Sequence, residues 1–166
     1  MPTQTPTMMD HEFFMRRAIA LSARAGLEDR SGGVFGAVIV QNQRIIGEGW
    51  NRVVAENDPT WHAEMAAIRS ASAHIGNFDL SGATIYTSGE PCPMCLAAIH
   101  WARLEKIYYA STHADALTYG GFDDSHIQTE LAKAPADRRI PQVELLRSEA
   151  LAQWQRYADQ PDNTPY

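Results

Sequence analysis

The sequence is poor in cysteine, in positive charge and in long apolar runs. Two cysteines in 166 residues cannot build a disulfide scaffold, and two thiols three positions apart suit a metal site in a reducing compartment better than a disulfide. Fourteen Lys and Arg stand against twenty Asp and Glu, a formal net charge of -6. That balance argues against a broad nucleic-acid footprint, which normally shows as a basic face. No stretch approaches the roughly 20 apolar residues of a membrane span. Residues Met1 to Met9 are rich in Thr, Pro and Gln, with neither a basic region nor an apolar run, so they do not read as a secretory leader. The expected location is cytoplasmic. There are no internal repeats and no low-complexity segment, which excludes solenoids. The length suits a single domain spanning 1–166, with 1–9 flexible and 158–166 a C-terminal tail.

What the sequence does contain is two short motifs, His62-Ala63-Glu64 and Pro91-Cys92-Pro93-Met94-Cys95. Cysteines three apart on a helical turn point the same way, so both thiolates can reach one ion. Zinc accepts thiolate and imidazole readily, and two cysteines with one histidine form a catalytic ligand set that leaves a position open for water. Cys92 and Cys95 read alone would fit a thioredoxin-type redox couple. A closed structural zinc site would need a fourth N or S ligand. His11, His74, His100, His113 and His126 all lack ligand spacing from the cysteines and read as surface or hydrogen-bonded histidines. Zinc bound once per chain through His62, Cys92 and Cys95 is the expected cofactor.

Periodicity supplies the frame. Asp10 is placed to cap a helix ending near Gly26, with Phe14, Ala18, Leu21 and Ala25 as its apolar stripe. Val34 to Val40 and Ile45 to Trp50 read as a hairpin joined through Gln41-Asn42-Gln43. The cluster Asn57-Asp58-Pro59-Thr60 opens a helix stopped by Gly76, with His62 and Glu64 in its first turn. Ala83 to Ser88, a helix from Pro93 to Ala102 and Lys106 to Ala110 form a βαβ unit, so those two strands should be parallel. Ser111 to Asp124 reads as a loop, followed by a short helix to Lys133, an edge strand Val143 to Leu146 and a last helix opened by Ser148 and Glu149. The expected fold class is α/β, a three-layer α/β/α arrangement around a mixed five-stranded sheet. Both ligand motifs then fall at helix N-termini, where the dipole favours thiolate and carboxylate.

The order of H-x-E ahead of P-C-x-x-C resembles the signature of zinc-dependent nucleobase deaminases, and that resemblance implies hydrolytic deamination. A zinc ion can lower the pKa of water to about 7. Glu64 can carry protons from that water to a ring nitrogen and to the departing amine. Asn51 follows a strand, and its amide can donate and accept at a base edge; a turn asparagine is the plainer reading. Phe35 at a strand head can line the same pocket. Trp101, on the ligand helix, can flank a flat ring or simply fill the core. Asp123 can accept N–H bonds from a purine or cap the helix that follows. Gln128 has no assignable role.

In its order of H-x-E and P-C-x-x-C the sequence resembles the cytidine-deaminase-like superfamily over nearly its whole length. Val34-Phe35-Gly36-Ala37, Asn51, Asn57-Asp58-Pro59, Tyr86-Thr87-Ser88, Trp101-Ala102-Arg103, Phe122-Asp123-Asp124 and the terminal Tyr166 look like stretches of small bacterial guanine deaminases. The resemblance implies deamination of a free purine base, guanine to xanthine, with Glu64 catalytic and Asn51, Asp123, Phe35, Ala63, Trp101 and Tyr166 at the substrate. It also implies a homodimer with an exchanged C-terminal segment. Val34 departs from a frequent proline at the strand entry. A tRNA adenosine deaminase, a cytosine or deoxycytidylate deaminase and a zinc-stabilised binding module are the alternatives, and the acidic composition counts against the first.

Overall fold

A computed structural model describes residues 8–166, so most of the expected flexible N-terminus lies outside the described residues. The described chain divides into two compact units, one ending at Asp124 and the other running Ser125–Tyr166.

The first unit is a four-stranded sheet in the order β2-β1-β3-β4, formed by β1 (Gly36–Gln41), β2 (Arg44–Trp50), β3 (Thr84–Gly89) and β4 (Lys106–Ser111). β1 pairs antiparallel with both β2 and β3, whereas β3 and β4 are parallel, as their helical crossover requires. The hairpin turns through Asn42 and Gln43, both in the left-handed region at φ 50° and 63°, which matches the right-handed twist of the flanking strands.

Alternation along the strands gives each sheet face its own core. Val38, Val40 and Tyr86 pack with Phe14, Ala18 and Leu21 of α1 (Met8–Ala23). Ala37, Ile39 and Ile85 pack with Ala63, Ala67 and Ala71 of α3 (Ala63–Ile75) and with Ile99 of α4 (Pro93–Trp101). Helices therefore cover both faces, while α2 (Val53–Glu56) is a single turn between β2 and α3. Asp10 lies within α1 and not ahead of it, and a π-helical turn, Arg24–Glu28, extends the helix past Gly26.

The placement of α3 rests on missing side chains. Its small residues recur every four positions, and they meet Gly47 and Gly49 of β2. A Cβ on Gly49 would stand 2.3 Å from Ala63 O, and one on Gly47 would stand 2.6 Å from Ala67 O. Helix backbone and strand thus touch directly, which fixes the start of α3 over the end of β2. The helix ends at Gly76, left-handed at φ 69°.

The remaining differences concern the edges of the fold. The cluster before α3 forms a separate turn, in which Asp58 Oδ1 accepts from Thr60 N at 2.8 Å and Thr60 Oγ1 at 2.7 Å, so the helix proper begins at Ala63. The segment expected as loop contains α5 (His113–Gly120), nucleated by a reciprocal capping box between Thr112 and Asp115. The fifth strand does not form among the described residues: Val143 and Leu145 are 85% and 81% exposed in irregular backbone following Pro141. The second unit comprises α6 (Ser125–Ala132), a 3₁₀ turn at Pro135–Asp137 and α7 (Arg147–Ala158). No helix among the described residues is long and apolar enough to cross a membrane.

Candidate metal centre and substrate cavity

His62 and Cys92 each occupy the residue just before a helix, α3 and α4 respectively, and Cys95 is the third residue of α4. Two helix N-termini therefore face one another across the ends of the strands. Cys92 Sγ and Cys95 Sγ each lie 3.5 Å from His62 Nδ1, and all three donor atoms fall within 4.8 Å of one another. Tetrahedral zinc with ligands at about 2.0 to 2.3 Å separates sulfur from nitrogen by roughly 3.5 Å. The residues present fit that ion in number, chemistry and spacing. No other set of three such donors is gathered among the described residues.

The local electrostatics set the two thiols apart. A hydrogen bond from Cys95 holds the Cys92 thiol down at about 4, with further help from His62, while the same bond and burial push the Cys95 thiol up. The hydrogen bond to Cys92 raises His62 against the effect of its burial. Glu64 is buried in the first turn of α3, and desolvation pushes its carboxyl up.

A cavity of about 490 Å³ opens onto these groups, and Cys92, His62, Glu64, Asn51, Phe35 and Asp123 all line it. Asn51 is held from every side. Its backbone N–H donates to Phe35 O at 3.0 Å and Ser31 Oγ donates to its carbonyl at 2.7 Å. Its Oδ1 accepts from Val53 N at 3.2 Å, so the turn reading and the cavity reading both hold. Only glycine fits at position 32, where a Cβ would lie 1.9 Å from Asn51 Oδ1. Phe35 meets Phe122 edge-on at 5.2 Å, forming an aromatic wall.

Ala63 packs into the core and does not line the cavity. Trp101 is 64% exposed at the C-terminal end of α4, six residues and about 9 Å of helix rise beyond Cys95, and is not among the lining residues. Tyr166 belongs to the second unit and is 75% exposed. Gln128 lies on α6. Two lining residues, Glu90 and His113, carried no sequence pattern of their own, and Asp124 entered only as the last residue of Phe122-Asp123-Asp124. The only available cue was that Glu90 immediately precedes the Pro91-Cys92 motif.

Residues 8–111 match the family model described as the cytidine and deoxycytidylate deaminase zinc-binding region. A guanine deaminase of Bacillus subtilis (strain 168) is 46% identical over 149 residues, spanning 90% of this chain and 94% of the relative. The X-ray structure of Bacillus subtilis guanine deaminase superposes with a TM-score of 0.89 at 44% identity, covering 94% of this chain and 98% of that one. A tRNA-specific adenosine deaminase of Agrobacterium fabrum (strain C58) is 40% identical over 104 residues, 63% of this chain and 67% of the relative.

Proposed function

Because the chain belongs to the cytidine and deoxycytidylate deaminase family of zinc enzymes, we propose that it hydrolyses guanine to xanthine and ammonia. The observation that carries this reading is the meeting of the His62, Cys92 and Cys95 donors with buried Glu64 in one cavity. The extensive likeness to a guanine deaminase selects the base.

The enzyme is a hydrolase acting on C–N bonds, and its cofactor is zinc. When bound, the ion supplies the Lewis acidity that makes water a competent nucleophile near neutral pH. Glu64 performs the proton transfers. It takes one proton from the water that attacks C2 of guanine and delivers it to the adjacent ring nitrogen. It then carries the hydroxyl proton to the exocyclic amine, the C–N bond breaks, ammonia leaves and the ring carbonyl forms. Burial assists this, because a carboxyl pushed up from its ordinary value exchanges protons more readily near neutrality.

Asn51 and Asp123 read the base edge, and Phe35 lies against its face. Among the described residues lining the cavity, four are carboxylates and none is Lys or Arg. Such a lining repels phosphate, which disfavours deoxycytidylate and tRNA as substrates and suits a neutral base rich in N–H donors. Residues 1–166 act together as one cytoplasmic deaminase domain, and the functional unit is a homodimer in which the segment 158–166 is exchanged. The exposure of Tyr166 and of the apolar side chains Ile140, Val143, Leu145 and Trp154 supports that arrangement.

Ammonia release from guanine, adenine, cytosine, cytidine, deoxycytidylate and tRNA tests the proposal. Turnover of guanine alone or foremost is expected. Turnover of another member with guanine inert would overturn it, and zinc binding with no turnover of any would favour a binding module.

A further inference from the structure

One constellation in the cavity is left unused by the chemistry above. The ring of His113 lies between two carboxylates that come from different segments. Its Nδ1 is 3.3 Å from Asp124 Oδ2, and its Nε2 is 3.7 Å from Glu90 Oε2. Glu90 Oε2 also accepts from the backbone N–H of His113 at 3.1 Å, and Glu90 N donates to Ser111 O at 2.8 Å. Glu90 stands two positions before the ligand Cys92, and Asp124 stands immediately after Asp123. The imidazole thus spans the entry to the ligand helix and the segment Gly120–Asp124.

That segment leads the chain out of α5. Gly121 is left-handed at φ 71° and ends α5, after which the backbone reaches Asp124 without regular structure. Phe122 contributes its ring to the wall with Phe35, and its N–H donates to Ala116 O at 3.3 Å. The contact of Asp124 with His113, one residue beyond Asp123, limits the position of Asp123 from the other side. The cavity lining includes His113, Glu90, Asp123 and Asp124 together, so the hold acts where the substrate would sit.

We infer that His113 is a positioning residue that, by bridging Glu90 and Asp124, aims Asp123 at the substrate. The inference rests on the proposed reading of Asp123 as a base-edge acceptor. His113 touches neither the metal donors nor the reacting atoms in this scheme; it acts only through Asp123. Misplacement of a substrate-orienting group by about 1 Å can cost on the order of 10²-fold in rate.

His113→Ala keeps the backbone bond to Glu90 and the Thr112–Asp115 capping box, so α5 retains its start. The test is steady-state guanine kinetics with zinc content for His113→Ala, Asp123→Ala, the double variant and His113→Gln. The expected results are full zinc content throughout and a kcat/KM loss of roughly tenfold to a hundredfold for His113→Ala. Adding His113→Ala to Asp123→Ala should change kcat/KM by less than about twofold, since the residue it positions is gone. His113→Gln, whose amide can still reach a carboxylate, should recover most of the loss. Asp124→Ala in the same cycle, which removes the acceptor outright, should copy His113→Ala. Unchanged kinetics in His113→Ala, losses that multiply in the double variant, or zinc loss in His113→Ala would each overturn the inference. An Asp123→Ala enzyme as active as the parent would remove Asp123 from the base edge, a separate failure that takes the inference down with it.

Discussion

A carboxylate can move protons only from the position it is held in, and Glu64 is held by burial in the opening turn of α3, next to a metal ligand. Glu64→Gln removes the proton carrier while keeping shape and hydrogen-bonding capacity. It should retain zinc and bind guanine, yet lose turnover by about 10²–10⁴-fold, toward the upper end because one residue serves successive transfers. Kinetics beside metal analysis check this, and near-parental turnover would take Glu64 out of the role. Cys92→Ala removes a thiolate from a three-donor set, leaving two protein donors. Its expected outcome is loss of stoichiometric zinc and a lower Tm, since metal-binding free energy is also folding free energy. Full zinc occupancy in that variant would show a different ligand set. These residues were legible because chemistry and spacing coincide: H-x-E and C-x-x-C each place their side chains through one local turn. The cluster of Glu90, His113 and Asp124 was not legible, although Asp124 closes the stretch Phe122-Asp123-Asp124. They come from three segments brought together by the parallel pairing of β3 with β4, and no local period records that meeting.

At the scale of elements, what could be read was whatever local chemistry determines. The hairpin through Asn42 and Gln43, the βαβ unit and the stop at Gly76 all follow from turn residues and strand alternation. Helix α5 escaped because its eight residues include two small apolar ones and a terminal glycine, and only the Thr112–Asp115 pair marked its start. The expected fifth strand had the right composition, but strand formation needs a paired edge, and pairing is not local. The contact between β2 and α3 is likewise tertiary, and it bears on the site. Gly49→Ala drives a methyl group into the backbone at Ala63 and Ala67, which cannot move aside as a side-chain tip could. Overpacking of this kind costs about 1–3 kcal/mol, and at this chain length each kcal/mol lowers Tm by roughly 2–4 °C. Gly47→Ala meets the same helix one turn further on, at Ala67 and Ala71. Both should lower Tm comparably, whereas Gly49→Ala should lose more activity per degree because Ala63 separates His62 from Glu64. Equal activity in the two variants at matched stability would show that the α3 start does not depend on this contact.

For the molecule as a whole, the open question is how residues 125–166 serve the enzyme. Their apolar side chains are poorly covered in a single chain: Ile140, Val143, Leu145 and Trp154 are 81%, 85%, 81% and 67% exposed. Apolar surface on that scale usually marks an interface, and a second copy of the same chain can cover it in a two-fold arrangement. The terminal residues are ordered as well as exposed. Asn163 Nδ2 donates to Tyr157 O at 2.9 Å and Tyr157 OH to Thr164 O at 3.4 Å, so the tail turns back on α7 instead of trailing from it. Two prolines, Pro161 and Pro165, reduce the entropy that ordering such a tail would cost. An aromatic end presented this way can close over a base bound in the partner and exclude bulk water from the proton transfers of Glu64. Deleting 161–166 removes Tyr166 but leaves α7, the apolar residues before it and all three metal donors in place. The truncated protein should therefore keep its zinc and its dimeric elution on sizing, while guanine turnover falls severely. Mixing the truncated chain with a Glu64→Gln chain should restore part of the activity, because a dimer of the two pairs an intact Glu64 with an intact partner tail. Truncation without effect on turnover would leave the tail with no part in catalysis, and failure of the mixed dimer to recover activity would mean that each tail serves its own chain.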